Sequence, residues 1–147
     1  MQTGEAFSLI FELTEKSKKY TEIILVRVFI ADDSMLIMER LKDMLAELPE
    51  IEIIGEARDG IGAIKAVRQL NPDVAILDIK MPGVNGIDVL KDIKNNNQNI
   101  TVIMLTNYPY PQYRRKCMEL GADYFFKKST EFENVMDALK QLIQKTR

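Results

Sequence analysis

Several residue types are missing or scarce in this sequence, and each absence excludes a kind of chemistry. The 147 residues contain no histidine, which excludes Ser-His and Cys-His nucleophile systems and histidine-ligated zinc or iron. The one cysteine, Cys117, cannot form an intramolecular disulfide, and we expect it to be a packing residue of a chain in the reducing cytoplasm. No apolar run approaches the roughly 18 residues that a membrane span needs.

The charge balance is nearly even, so no strong field of one sign is present. The formal net charge is -2 and the isoelectric point is about 5.3. We therefore expect no binding to nucleic acid or to an anionic membrane by this chain. With 46% hydrophobic residues, the chain has enough apolar material for the core of one ordinary domain.

From Val26 onward, short apolar runs alternate with amphipathic segments. The run Val74–Leu77 is apolar on both faces, as in a central parallel strand. Strict alternation with right-handed crossovers predicts an α/β fold, a doubly wound five-stranded parallel sheet of order 2-1-3-4-5, as in flavodoxin. The predicted strands are residues 28–31, 51–57, 74–77, 100–105 and 124–126.

Two helix assignments in the second half rest on local patterns. The fourth helix should place Met118 and Leu120 inward and end at Gly121, a residue type common just beyond helix ends. The fifth helix should open with Thr130-x-x-Glu133, which fits a capping box.

Polar residues follow four of the five predicted strands. Asp32 and Asp33 follow the first strand, Asp78 the third, Thr106 the fourth and Lys128 the fifth. In an open parallel sheet, ligands bind at the carboxyl ends of the strands, beside the point where the strand order reverses. We therefore expect all five side chains at one edge of the sheet.

Three crowded carboxylates repel one another and require a cation. Oxygen ligands without histidine or clustered thiolates indicate Mg2+ rather than zinc, with Asp32, Asp33, Asp78 and the backbone carbonyl of Lys80 as ligands. A central carboxylate can then attack phosphorus and form an aspartyl phosphate. A lysine ammonium and a threonine hydroxyl can contact the other phosphoryl oxygens.

Simpler interpretations exist for single residues. Asp32 and Asp33 could be a helix N-cap and its solvated neighbour, and Thr106 a plain strand-end residue. Lys127 adjoins Lys128, but strand alternation sends the two to opposite faces, so only one can serve; spacing favours Lys128.

Four segments together resemble the receiver domains of two-component response regulators of the single-domain, chemotaxis-regulator type. They are residues 28–34, with the acidic pair; 77–86, similar to the phosphoacceptor loop; 105–106, the hydroxyl position; and 121–128, which delivers the lysine. The resemblance implies that Asp78 accepts phosphate from a histidine kinase or phosphotransfer protein. The chain would be no enzyme, beyond catalysing its own phosphorylation and dephosphorylation.

The resemblance also implies a switch. Thr106 would move toward the phosphoryl group and Phe125 would swing inward. The face of the fourth helix, fifth strand and fifth helix would then bind a downstream protein or a second copy. The family usually has a small residue after the threonine, whereas this chain has Asn107, which we expect to narrow access to the phosphoryl group. We hypothesise that Lys80 and Tyr108, two residues beyond the aspartate and the threonine, tune dephosphorylation.

Two alternatives stay open at this point. One is a phosphatase of the haloacid dehalogenase type, although its Asp-x-Asp pattern is not matched by the adjacent Asp32 and Asp33. The other is the receiver half of a truncated DNA-binding regulator. Residues 26–147 are expected to form the receiver and residues 1–25 an N-terminal extension, disordered or helical. This extension is either a docking or dimerisation arm, or a poorly ordered segment, or the product of a start site assigned too early.

Overall fold

The computed structural model describes residues 24–146, and the helices and strands in it alternate strictly along the chain. The strands are β1 (Val26–Ala31), β2 (Ile51–Ala57), β3 (Val74–Leu77), β4 (Thr101–Thr106) and β5 (Tyr124–Lys127). The helices are α1 (Met35–Leu45), α2 (Gly60–Leu70), α3 (Gly86–Asn96), α4 (Pro111–Glu119) and α5 (Asn134–Thr146).

The five strands form one sheet in the order β2-β1-β3-β4-β5. Every neighbouring pair is parallel. This confirms the predicted flavodoxin-like fold. The order reverses between β1 and β3, so the carboxyl ends of these two strands flank a cleft at one edge of the sheet.

The core has two layers, one on each face of the sheet. Along each strand, successive side chains point to opposite faces. In β1, Phe29 packs with α2, α3 and α4, whereas Val28 and Ile30 pack with α1 and α5. The central strand β3 is buried throughout, because helices cover both of its faces. The sheet edge that carries the polar residues is therefore held on a rigid base.

Several helix ends follow their sequence signals. The side chains of Ser34, Asp59 and Asn85 each accept a hydrogen bond from a backbone N–H in the first turn of the following helix. Gly121, just beyond α4, has φ +99°, a left-handed conformation that glycine adopts without steric cost.

Two helix assignments were wrong. The capping box at Thr130 does not start α5, which begins at Asn134; instead the Glu131 carboxylate accepts a hydrogen bond from the backbone N–H of Lys127. In α4, Cys117 is the buried residue and Met118 is 46% exposed. Leu120 packs against the core as predicted, whereas the inward position next to Met118 is taken by Cys117.

The N-terminal extension lies almost entirely outside the described residues, which begin at Ile24. The roles considered for residues 1–25 therefore stay predictions. Among residues 24–146, no helix is both long and apolar enough to cross a lipid bilayer.

Candidate phosphoacceptor and metal site

The backbone of the sheet brings the polar residues to one edge. The N–H of Asp32 donates to the carbonyl of Ala57 at 3.1 Å, and the N–H of Asp78 donates to the carbonyl of Ala31 at 3.0 Å. The parallel hydrogen-bond ladder thus runs one residue past the strand ends and fixes the two aspartates side by side. Both are almost fully buried.

Lys128 joins these two carboxylates. Its Nζ lies 2.5 Å from Oδ2 of Asp32 and 3.0 Å from Oδ2 of Asp78. The ammonium is only 5% exposed, so water screens these ion pairs weakly. The backbone N–H of Lys128 donates to the carbonyl of Thr106 at 2.9 Å. The end of β4 therefore holds the lysine in place.

The adjacent Lys127 is exposed at the end of β5, and its backbone N–H bonds to Glu131. The structure thus separates the two lysines as strand alternation predicts. One of them reaches the acids and the other faces solvent.

The two oxygens of Asp78 have different surroundings. Oδ2 accepts from Lys128, whereas Oδ1 is buried and has no hydrogen-bond partner. Asp32 is more fully paired, since its Oδ1 accepts from the N–H of Ser34 at 2.9 Å. Burial, with repulsion from Asp32, raises the pKa of Asp78, although Lys128 opposes the shift.

Buried polar atoms normally have hydrogen-bond partners. The unpartnered Oδ1 of Asp78 is therefore an acceptor that a ligand could use.

A divalent cation fits beside that oxygen. Carboxylate oxygens of Asp32, Asp33 and Asp78 lie within 4.8 Å of one another. Asp33 is the exposed member of this group, so its oxygens face the solvent side. Oxygen-only donors, partly accessible to water, suit Mg2+, which keeps several of its own waters. The contacts in the structure give no support for the backbone carbonyl of Lys80 as a metal ligand, so this role stays a prediction.

Gly86, whose importance the sequence did not reveal, permits the close packing of the Asp78 loop. Its N–H donates to the carbonyl of Ile79 at 2.7 Å. A Cβ at this position would lie 1.8 Å from the carbonyl oxygen of Asp78. Only glycine allows the first turn of α3 to approach the loop after β3 this closely.

The loops after β3 and β4 meet at the mouth of the site. Thr106 is fully buried, and its Oγ1 accepts a hydrogen bond from the N–H of Tyr108 at 3.0 Å. The ammonium of Lys80 lies 5.4 Å from the ring centre of Tyr108 and 6.0 Å from that of Tyr113. This is the range of a cation–π contact. Asn107 is exposed beside this contact.

Phe125 on β5 is 3% exposed and belongs to the core. Arg114 of α4 lies over its ring, with the guanidinium carbon 5.4 Å from the ring centre, and donates a long hydrogen bond to its carbonyl. Phe125 is thus already buried, with an arginine covering its ring, and its inward swing on phosphorylation stays a prediction.

Arg58 is a second residue that sequence reasoning missed. Its guanidinium donates to the backbone carbonyl of Asp33 at 3.3 Å. The signal was available, because Arg58 follows β2, the strand beside β1 in the predicted order. It adds a positive charge at the rim of an acidic site.

Comparisons with known proteins agree with this geometry. Residues 28–140 match the response regulator receiver domain family. The response regulator domain of Thermotoga maritima CheB is 31% identical, with a TM-score of 0.71 over 82% of this chain and 95% of that chain. A CheX–CheY–BeF3–Mg complex from Borrelia burgdorferi contains a chain that is 29% identical, with a TM-score of 0.70 over 79% of this chain and 90% of that chain.

Curated relatives are longer than this chain. A protein-glutamate methylesterase/protein-glutamine glutaminase of Pyrococcus abyssi is 39% identical over 121 residues, which are 80% of this chain and 33% of the relative. The transcriptional regulatory protein DegU of Brevibacillus brevis is 30% identical over 119 residues, 81% of this chain and 50% of the relative. The chain thus spans between a third and a half of these two relatives. The family match covers most of the chain, which therefore belongs to the response regulator receiver domains, the signalling domains of two-component systems.

Proposed function

We propose that the chain is a phosphorylation-activated switch that accepts a phosphoryl group on Asp78 from a phosphohistidine of a kinase or phosphotransfer protein. The observation that carries this proposal is the buried, unpartnered Oδ1 of Asp78, beside two further carboxylates and an ammonium. The phosphatase alternative is not carried forward, because the chain belongs to a family of signalling domains.

In the proposed reaction, a carboxylate oxygen of Asp78 attacks phosphorus. An O–P bond forms as the P–N bond to the imidazole breaks, and the imidazole nitrogen keeps the electron pair and takes a proton from solvent. This step needs no separate general base, because the attacking group is an ionised carboxylate. Water is largely excluded at Asp78, which keeps the nucleophile weakly solvated.

Mg2+, when bound by Asp32, Asp33 and Asp78, would neutralise the charge that accumulates on the phosphoryl oxygens. Lys128 holds the Asp78 carboxylate before reaction and is placed to contact a phosphoryl oxygen afterwards. Thr106 would donate its hydroxyl to a second oxygen. Its Oγ1 accepts a hydrogen bond from the N–H of Tyr108, so a movement of Thr106 would also displace the loop after β4.

Phosphorylation would change the surface formed by α4, β5 and α5, and a partner would recognise this change. Thr106 lies at the end of β4 and Phe125 on the neighbouring strand β5, in contact with Arg114 of α4. We propose Thr106 and Phe125 as the switch residues and a downstream protein, or a second copy of the chain, as the receiver of the signal. A switch of this kind is a bistable element biased by one charged ligand.

The phosphate lifetime would be set at the mouth of the site. Lys80 and Tyr108 contact each other there, beside Asn107, and we propose that the three limit the approach of water to the aspartyl phosphate. Replacing both Lys80 and Tyr108 by alanine should change the dephosphorylation rate. An unchanged rate in the double variant would remove this part of the proposal.

The proposal is tested with acetyl phosphate and with the beryllofluoride mimic, each with and without Mg2+. We expect a mass increase, or amide shifts centred on the β3 and β4 loops, only when Mg2+ is present, and neither in Asp78→Asn. Modification that persists in Asp78→Asn, or that ignores Mg2+, would contradict the assignment of the site.

A second candidate, the receiver half of a DNA-binding regulator, is favoured by the 50% coverage of DegU. The size of the protein in cell extract, detected with an antibody against this chain, distinguishes it. A product much larger than 16.9 kDa would support this candidate, and one of that mass would exclude it.

A further inference from the structure

A groove lies at the edge of the sheet opposite the three carboxylates. It is a cavity of about 290 Å³ at the starts of β1, β3 and β4, beside the end of α5. The strand β1 has six residues, or about 20 Å at 3.3 Å per residue, so the groove lies outside the chemistry proposed above. We call it the amino-edge groove, and its apolar walls include Ile24, Leu25, Pro72, Ile100 and Leu142.

One wall of the groove is open to solvent. Ile24 is 62% exposed and Leu25 is 42% exposed, whereas Pro72 and Ile100 are buried at the base of the groove. Single exposed apolar residues are normal on a protein surface. Two adjacent ones beside a cavity with an apolar base form a continuous apolar surface, which is typical of a binding site.

The backbone at the groove is already hydrogen-bonded. The N–H of Val26 donates to the carbonyl of Glu50 at 2.8 Å, and the N–H of Thr101 donates to the carbonyl of Asp73 at 2.9 Å. The edges of the sheet are β2 and β5, whereas the groove lies at the starts of the three inner strands. It therefore offers side-chain contacts rather than a free strand edge, and such contacts suit the apolar face of a helix.

The chain itself contains a segment of this kind next to the groove. Residues 1–23 precede Ile24 and lie outside the described part of the chain. Their sequence places Ala6, Leu9, Ile10 and Leu13 at the spacing of one helix face. Residues 14–23 are mostly polar, and these ten residues could span up to about 33 Å, which is enough for residues 6–13 to return to the groove.

We propose that residues 6–13 dock in the amino-edge groove of their own chain and cover Ile24 and Leu25. The tether favours this occupant over a separate molecule, because Ile24, where the described chain begins, is itself a wall of the groove. A short flexible connection gives an effective concentration in the millimolar range, about a thousandfold above a second copy present at about 1 μM. The docking does not depend on the phosphoryl chemistry proposed above, which takes place at the other edge of the sheet.

The test attaches a nitroxide to the full, nitrogen-15-labelled Ser8→Cys chain and measures the broadening of amide signals. Ser8 lies off the apolar face of residues 6–13, and the native Cys117 is fully buried, so the reagent should react at residue 8 alone. Broadening should concentrate on residues 24–26, 99–101 and 142–146. A mixture of nitroxide-carrying unlabelled chain with labelled wild type should show no such broadening, and its appearance there would identify a second copy as the occupant and overturn the proposal.

Two variants separate docking from general effects on the fold. Leu9→Asp combined with Leu13→Asp should remove the broadening and speed hydrogen exchange at the N–H of Thr101 at least about tenfold. Ile24→Asp changes the groove instead, at an exposed position, and should also remove the broadening.

The matched control is Thr14→Asp combined with Thr21→Asp, which adds the same two charges at polar positions of the connecting residues. It should keep the broadening and change the exchange rate less than about twofold. Broadening that is absent or spread evenly over the labelled Ser8→Cys chain would overturn the proposal, and so would equal effects of the two double variants.

Discussion

The substitution Asp78→Asn should stabilise the metal-free protein at neutral pH, although it removes half of a buried ion pair. An asparagine keeps the size of the side chain and removes a charge that is 5% exposed and whose Oδ1 has no partner. Lys128 is not left unpaired, because it retains Asp32 at 2.5 Å. The usual penalty for breaking a buried pair, an uncompensated charge, is therefore avoided.

The sign of the expected stability change follows from the pKa of Asp78, which burial raises above the ordinary value. The folded protein then binds a proton more tightly than the unfolded chain, so stability falls as pH rises from the ordinary carboxyl range through the folded pKa. The ionised carboxylate is therefore the form that the fold disfavours. We expect a gain of about 1 kcal/mol in Asp78→Asn, because the variant removes a buried charge, or roughly 3 °C in Tm.

Bound Mg2+ should reduce the difference in unfolding free energy between the wild type and Asp78→Asn. A cation at ten times its dissociation constant stabilises the protein that binds it by about 1.4 kcal/mol. The variant, with one carboxylate fewer, should gain less. Urea unfolding followed by circular dichroism, between pH 4 and pH 8, with EDTA or with Mg2+, measures all of these effects.

Asp43→Asn is the control, since Asp43 is an exposed carboxylate on α1. It should shift stability by less than about 0.5 kcal/mol. The reasoning is refuted if Asp78→Asn is less stable than wild type in EDTA at pH 7, or if Mg2+ stabilises both proteins equally.

Three further predictions concern single residues. Lys128→Met should cost about 3 kcal/mol in urea unfolding, because it leaves two buried carboxylates without their cation, whereas Lys127→Met at an exposed position should cost less than about 0.5 kcal/mol; equal costs would contradict the assignment. Burial raises the pKa of Cys117 to about 11, so iodoacetamide at pH 8 should react at least about a hundredfold more slowly with the folded than with the unfolded chain, and comparable rates would show that the thiol is accessible. Gly86→Ala should lower stability by about 2 kcal/mol or more and weaken Mg2+ binding, since its Cβ would meet the Asp78 carbonyl; an alanine variant as stable as wild type would show that this loop yields.

The strands and the acids could be predicted because their signals are local and periodic. The run Val74–Leu77 is apolar on both faces. Such a run is typical of a strand that helices cover on both sides. Once five such strands alternate with helices, chirality and connection rules leave few sheet orders. The positions of Asp32 and Asp78 at one edge follow from that order, without knowledge of any contact.

The phase of α4 could not be predicted, because its sequence carries a weak pattern. With Tyr113, Cys117 and Met118 all apolar, more than one inward face is possible, and packing against the sheet selects Cys117. The start of α5 was misassigned for a related reason: a capping box is a local preference, and Phe132 is buried in the turn before the helix instead. Tertiary packing overrides local propensity in both cases.

The charge of the pocket explains why its members act as one unit. Asp32, Asp33 and Asp78 with Lys128 have a formal charge of -2, which one divalent cation would neutralise. On the proposed function, the phosphoryl group then adds negative charge beside Lys128. That ammonium has three N–H donors and contacts two carboxylates, so its third donor can turn to a phosphoryl oxygen. Phosphorylation would thus redistribute the contacts of one buried ammonium, and the strand end that carries Lys128 is bonded to Thr106. The first movement of the switch is therefore expected at the ends of β4 and β5, before any change reaches α4.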